Sequence, residues 1–287
     1  MIEVYAFLAA FAVQTLVLSV LIPARFTRNF RAKTARLPAE RLAQLYPGVD
    51  VVNVRERFLT QYRVLTSGLA VLGLLLLGWL FSDAWRADWN GGKAGLLATG
   101  YFVAAFMLPI FFFARFVARF NKEHRPVEGK RTAILQRRGL FDFVPPIIVF
   151  VAALSYFLYV AFVFYIEQRP FPGFAGALIN IGGMTLIYAM NAFAVYISLY
   201  RGKKGPFETH EGRLHTIGLA VKGIVYASIV IVVFCSLNFS LRLLDLKSWE
   251  PFALSIFFAT GALLASMGFA APLRKPEVDE FVSNPAR

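Results

Sequence analysis

The stretch VLTSGLAVLGLLLLGWLFS, residues 64–82, carries no charged side chain and ends on Trp79, Leu80, Phe81 and Ser82. As a helix rising about 1.5 Å per residue it crosses roughly 28 Å, close to the depth of a bilayer's hydrocarbon core. Arg63 and Asp83 bracket it, so charge bounds the block on both sides. Six further blocks of this kind lie at 2–22, 95–114, 144–166, 174–199, 217–237 and 251–271. Seven such blocks predict an all-α integral membrane protein with seven transmembrane helices, a single membrane domain over residues 1–287.

Composition agrees. Hydrophobic residues make up 58% of the 287 and charged ones only 16%, against about 25% in a typical soluble domain. A soluble fold cannot hide that much apolar surface. The single cysteine, Cys235, excludes an intrachain disulfide and a Cys-based metal site. Residues 1–23 lack the basic start of a cleavable signal and are followed by Arg25, Arg28, Arg31 and Lys33, which predicts an anchor with its N-terminus outside.

The net charge of +13 raises nucleic-acid binding as a possibility, and the placement of the cations decides against it. Lys and Arg number nine in the basic loop 23–63, eight in 115–143, four in 200–216 and three in the C-terminal tail, 24 on one side of the predicted membrane. The other side holds five: Arg86, Lys93, Arg169, Arg242 and Lys247. Such alternation is the positive-inside pattern, which predicts a cytosolic C-terminus and suits a bacterial inner membrane. Trp79, Trp85, Trp89 and Trp249 all fall at the poorer side, as an interfacial aromatic belt requires. The expected partners are therefore the bilayer and its anionic headgroups, with a second membrane protein or another copy of the chain, and no nucleic acid.

Connections on the poorer side are short, so no extracellular domain is expected. Within 23–63, Leu42, Leu45 and Tyr46 share a helical spacing behind Pro38, which predicts a short interfacial helix over 37–46. Asn53 and Glu56 read as a capping box that starts the second helix near Val54. A second basic segment, 132–141, precedes Pro145 and Pro146, which suit a first helical turn. An internal repeat is also visible: Gly68 to Gly73 reads GLAVLG and Gly218 to Gly223 reads GLAVKG. Half that offset aligns Gln61-Tyr62-Arg63 with Gln136-Arg137-Arg138. The arrangement expected is one N-terminal helix followed by three parallel-oriented hairpins.

Chemistry is sparse. No Asp, Glu, Arg or His lies in the middle third of any span, whereas proton relays, voltage sensors and ion-coupled carriers retain one for work. Lys222 sits a turn from a span end, where it can snorkel. His210-Glu211-Gly212-Arg213-Leu214-His215 resembles a zinc protease motif with one residue too many: at i+5 the two imidazoles point about 140° apart. It reads as a solvated loop. Gly91-Gly92-Lys93 lacks the spacing of a phosphate loop and reads as a turn. A microbial rhodopsin needs a lysine in its last helix, and 251–271 has none. Asn53 and Glu56 have the Asn-x-x-Glu spacing of membrane-bound glutathione and eicosanoid enzymes, but GVDVV precedes Asn53 instead of basic residues, and that family has four spans. No cofactor, metal or catalytic residue is assigned.

Two polar groupings remain. On the fifth span Asn180, Met184, Tyr188 and Asn191 share one helix face, with Gly182 and Gly183 able to admit close approach or a kink, and Ser155, Tyr159 and Ser228 able to face them. This is either a polar path or interhelical glue, the latter being the commoner use of Asn and Ser in membranes. Gly223 with Ala227, Gly261 with Ala265 and Ala262 with Ser266 are small pairs suited to tight packing. Arg57, Arg63, Arg115, Arg119, Arg137 and Arg138 cluster at the basic membrane surface, where they suit anionic lipid or an acidic partner. The function expected is a non-catalytic subunit or interaction partner in a membrane assembly, and in second place a channel or carrier for a small solute or lipid along the fifth span.

Overall fold

The computed structural model describes residues 2–35, 46–86, 89–123, 139–200 and 210–269. Among these the regular structure is helical throughout: α1 (Ile2–Leu16), a π-helical turn (Val17–Leu21), α2 (Ile22–Ala35), α3 (Val51–Trp85), α4 (Gly91–Glu123), α5 (Pro146–Glu167), α6 (Ala177–Tyr200), α7 (His210–Leu243) and α8 (Glu250–Phe269). Short 3-10 turns at Leu140–Asp142 and Lys247–Trp249 complete it. Counting α1 and α2 as one, seven helices are long and apolar enough to cross a membrane, as a multi-pass membrane protein requires.

Seven long apolar helices coincide with the seven predicted blocks, and the ends differ most at the basic side. The helix predicted over 2–22 runs to Ala35, and the second, expected to start near Val54 ahead of the block 64–82, begins at Val51. Much of the expected loop 23–63 is therefore helix. Backbone hydrogen bonding does not stop where lipid stops, and Arg and Lys are good helix formers. The start of α3 is set by Asp50, whose Oδ1 accepts from the Asn53 N–H at 3.0 Å. Asn53 is thus capped rather than capping. Glu56 is engaged elsewhere, accepting from Arg31 at 2.5 Å and Arg55 at 3.0 Å, which ties α2 to α3. Gly91, Gly92 and Lys93 form no turn; they are the first residues of α4, with the Asn90 side chain accepting from the Lys93 N–H at 3.1 Å. The 210–215 segment is likewise the start of α7 and not a loop. Pro145 and Pro146 occupy the N-cap and first position of α5, as expected. The helix predicted over 37–46 and the segment 132–138 lie outside the described residues, apart from Tyr46.

The π turn has a local cause. Pro23 follows it, has no N–H, and its ring would press on the carbonyl four residues earlier, that of Ser19. Widening the turn relieves the crowding: the Ile22 N–H bonds to Val17 O, five residues back. The helix bends there without ending.

Packing divides the bundle. In the first part α1 packs against α3 and α8, and α4 against α3 and α8. Phe7, Phe11, Ala94, Ala98, Tyr101 and Ala262 close its centre. Half of the apolar stretch of the first helix is buried, more than for any other span. Rings hold it: Phe11 meets Tyr101 edge-on at 5.4 Å and Phe7 meets Trp89 at 5.4 Å. Gly73 admits the closest approach, since a Cβ there would lie 2.5 Å from Thr15 Cγ2 and 2.7 Å from the Tyr101 hydroxyl. In the second part α5, α6 and α7 pack on one another. The two parts join where Phe234 of α7 stacks on Phe257 of α8 at 3.9 Å, next to Phe258, which stacks within the first part on Phe102 of α4 at 4.2 Å.

The two halves of the sequence repeat sit differently. Gly73 is pressed against α1, whereas a Cβ on its counterpart Gly223 would meet nothing within 4 Å. Gly68 is open, whereas a Cβ on its counterpart Gly218 would lie 3.0 Å from a Phe143 ring carbon. Of the small pairs, Ala262 and Ser266 are buried, while Gly223 and Ala227 are exposed.

Candidate functional site

The fifth-span stripe forms as one face. Met184, Tyr188 and Asn191 of α6 turn toward α5 and α7, and Met184 is buried. The Tyr188 hydroxyl reaches α5, 3.0 Å from Ala152 O and 3.1 Å from Ser155 Oγ. On the other side Asn191 Nδ2 donates to Ser228 Oγ of α7 at 2.9 Å. Asn180 turns back on its own helix and donates to Gly176 O at 2.8 Å. Tyr159 is buried in the same cluster as Met184 and Val232, with its ring 6.2 Å from that of Phe239. Of the side chains that the sequence grouped, Tyr188 and Asn191 bond α6 to Ser155 and Ser228 of its two neighbours, Met184 and Tyr159 pack between them, and Asn180 stays on its own helix. Gly182 and Gly183 make no close approach: both face outward, with nothing within 4 Å of a Cβ.

The outward face of α6 is the contrasting surface. Gly182, Thr185, Leu186, Ala189, Phe193 and Tyr196 are all exposed and fall on one side of the helix. Only 6% of its apolar stretch is buried, the least of the seven spans.

A second polar cluster, in the first part, escaped the sequence reading. Gln14 is completely buried, and its Nε2 donates to Ala98 O of α4 at 3.0 Å. One turn on, Ser19 Oγ and the Tyr101 hydroxyl are 2.6 Å apart, and that hydroxyl lies 3.3 Å from Leu69 O of α3. These bonds bind α1, the π turn, α3 and α4 through three side chains. The Gln14 Oε1 and the Ser255 Oγ are buried with no hydrogen-bond partner. Gln14 is the one glutamine inside a predicted span, and that was the available signal.

Arg57 and Arg63 near the start of α3 and Arg115 and Arg119 near the end of α4 are exposed at one end of the bundle, above rings of Phe26, Phe58, Phe113 and Phe116. Arg137 and Arg138 lie outside the described residues. At the opposite end Lys93 pairs with Asp83 at 2.5 Å and sits over the Trp79 ring, and Arg242 pairs with Glu250 at 2.5 Å. Each pair closes one interhelical connection. Among the described residues no three His, Cys, Asp or Glu side chains gather in a way that would hold a metal ion.

Comparison with protein-family models, with curated proteins and with solved structures gives no match. Function therefore has to be read from the geometry alone.

Proposed function

We propose that the chain is a non-catalytic subunit of a bacterial inner-membrane assembly, with its N-terminus outside and its C-terminus in the cytosol. The observation that carries this is the two-sidedness of α6. Tyr188 and Asn191 on its polar face bond to α5 and α7, whereas its outer face is exposed over Gly182, Leu186, Ala189 and Phe193, with Thr185 at its edge bonded to Tyr156 of α5. Small residues at Gly182 and Ala189 let another helix backbone approach closely on that outer face. In this reading the polar stripe is internal glue, and the three hairpins share one orientation across the membrane. Arg57, Arg63, Arg115 and Arg119 then meet anionic headgroups of the cytosolic leaflet.

The test is the native mass spectrum of the protein purified in mild detergent. A second protein in fixed stoichiometry, lost in Ala189→Trp while helicity is retained, supports the assembly. A lone monomer or a homo-oligomer overturns it. Solute flux in liposomes that Asn191→Leu abolishes would overturn it in favour of a path through α5, α6 and α7.

A further inference from the structure

One cavity opens on the side of the first part. It encloses about 690 Å³ of empty space with its open mouth included, and it lies between α2 and α4. Leu18, Pro23 and Phe26 form one wall and Ala105, Pro109 and Phe113 the other. Tyr62 of α3 and Ser266 of α8 reach it from behind. Leu18 to Phe26 and Ala105 to Phe113 each run about 12 Å along their helices, so the cavity is elongated. Its lining is almost wholly carbon.

Two prolines keep it open. Pro23 bends the first helix at the π turn, and Pro109 interrupts the hydrogen-bond ladder inside α4. Left unfilled, the apolar lining forfeits dispersion contacts. Water is a poor filler, because a water needs two or more polar partners and the walls offer few. The occupant is therefore apolar and elongated.

Charge selects it further. The cavity runs from the π turn toward the end of the bundle where cations gather. Arg25 directly precedes the lining residue Phe26, and Arg63 directly follows Tyr62. Both arginines are exposed, and neither has an ion-pair partner among the described residues. Arginine matches phosphate geometry and is held at membrane surfaces by its long stem.

We propose that this cavity seats an acyl chain of one anionic glycerophospholipid, whose phosphate lies over Arg25 and Arg63. The proposal deepens the reading of the arginine belt as lipid-facing and owes nothing to the assembly reading, since its test uses the isolated protein. In this arrangement the lipid is a stoichiometric part of the first bundle, inserted from the leaflet at the basic end.

The experiment delipidates the full chain in detergent. It is then returned to vesicles of pure phosphatidylcholine or of phosphatidylcholine with phosphatidylglycerol, and the lipid retained on re-extraction is counted by native mass spectrometry. One phosphatidylglycerol per chain is expected. Ile110 lies at the mouth and is exposed, so Ile110→Trp should fill the cavity without disturbing the core and weaken retention at least tenfold. Arg25→Gln with Arg63→Gln should leave a lipid bound and abolish the preference for phosphatidylglycerol. A melting temperature of the unaltered protein that rises with added phosphatidylglycerol, and not with phosphatidylcholine, supports the choice of an anionic lipid. Retention that ignores Ile110→Trp in a folded variant overturns the cavity while sparing the arginine belt. No preference between the two lipids in the unaltered protein overturns both. A quinone or isoprenoid recovered in place of phospholipid also overturns the proposal.

Discussion

The first helix and the fifth span are both apolar and uninterrupted by acid or base at their centres, yet the first is the most buried span and the fifth the least. Their neighbour α5 sharpens the contrast. It has the highest mean hydropathy of the seven, 2.6 against 2.2 for the first helix, and only 17% of its apolar stretch is buried against 50%. In water a more apolar helix is a more buried one. In lipid there is no such drive, because a Leu against an acyl chain is as content as a Leu against another Leu. Burial in a membrane is signalled by what lipid tolerates badly or packs badly: Gln14 and Thr15 on α1, Ser19 in the π turn, and the bare backbone of Gly73 against Thr15.

The sharpest way to break the comparison is at the two glycines that the sequence repeat treats as equivalent. Gly73→Ala should lower stability by about 1–3 kcal/mol, because the new methyl overlaps Thr15 and Tyr101. Gly223→Ala should stay within about 0.5 kcal/mol, because its Cβ meets open space. Reversible unfolding in mixed micelles measures both. Equal effects would mean that close packing is not what distinguishes the two parts. Next in size is Asp50→Ala, which removes the side-chain acceptor at the start of α3 and should cost about 1 kcal/mol, with hydrogen exchange accelerated over residues 51–54.

The bonds of the second part should be weaker still. A double-mutant cycle between Asn191→Leu and Ser228→Ala should return a coupling of roughly 0.6 kcal/mol and no more than about 1.7, the range of interhelical bonds in membranes. A value near zero would detach α6 from α7 and remove the glue account. The smallest effect is expected at Lys93→Gln, whose exposed pairing with Asp83 should be worth roughly 0.2–1 kcal/mol and shrink in high salt. An effect that is large and indifferent to salt would show that the Trp79 ring, and not the carboxylate, holds that connection.

The sequence exposes the number of spans and their centres, because a charge-free run of this length has few other uses. Helix ends are hidden for a physical reason. Beyond the hydrocarbon both helix and loop satisfy their backbones with water, so the boundary passes to single side chains. Asp50 took the cap that Asn53 was expected to provide, and Asn90 turned Gly91 and Gly92 from a turn into a helix start. The fifth-span face was legible from spacing alone, and Ser155, Tyr188, Asn191 and Ser228 meet as the spacing implied. Gln14 was not legible as part of a stripe, because its neighbours at helical spacing, Ala10, Phe11, Val17 and Leu18, are all apolar. The cavity between Pro23 and Pro109 was out of reach, since nothing in the two local sequences says that they face each other.

The central position of the first helix also has a history in time. About 230 residues of chain separate Leu16 from the start of α8. At roughly 5–20 residues per second of synthesis, α1 precedes its largest neighbour into the bilayer by roughly 10–50 seconds. For that interval the side that will meet α8 faces lipid, an insertase or a passing helix. Of the described helices, the one made latest is thus the one that covers the first.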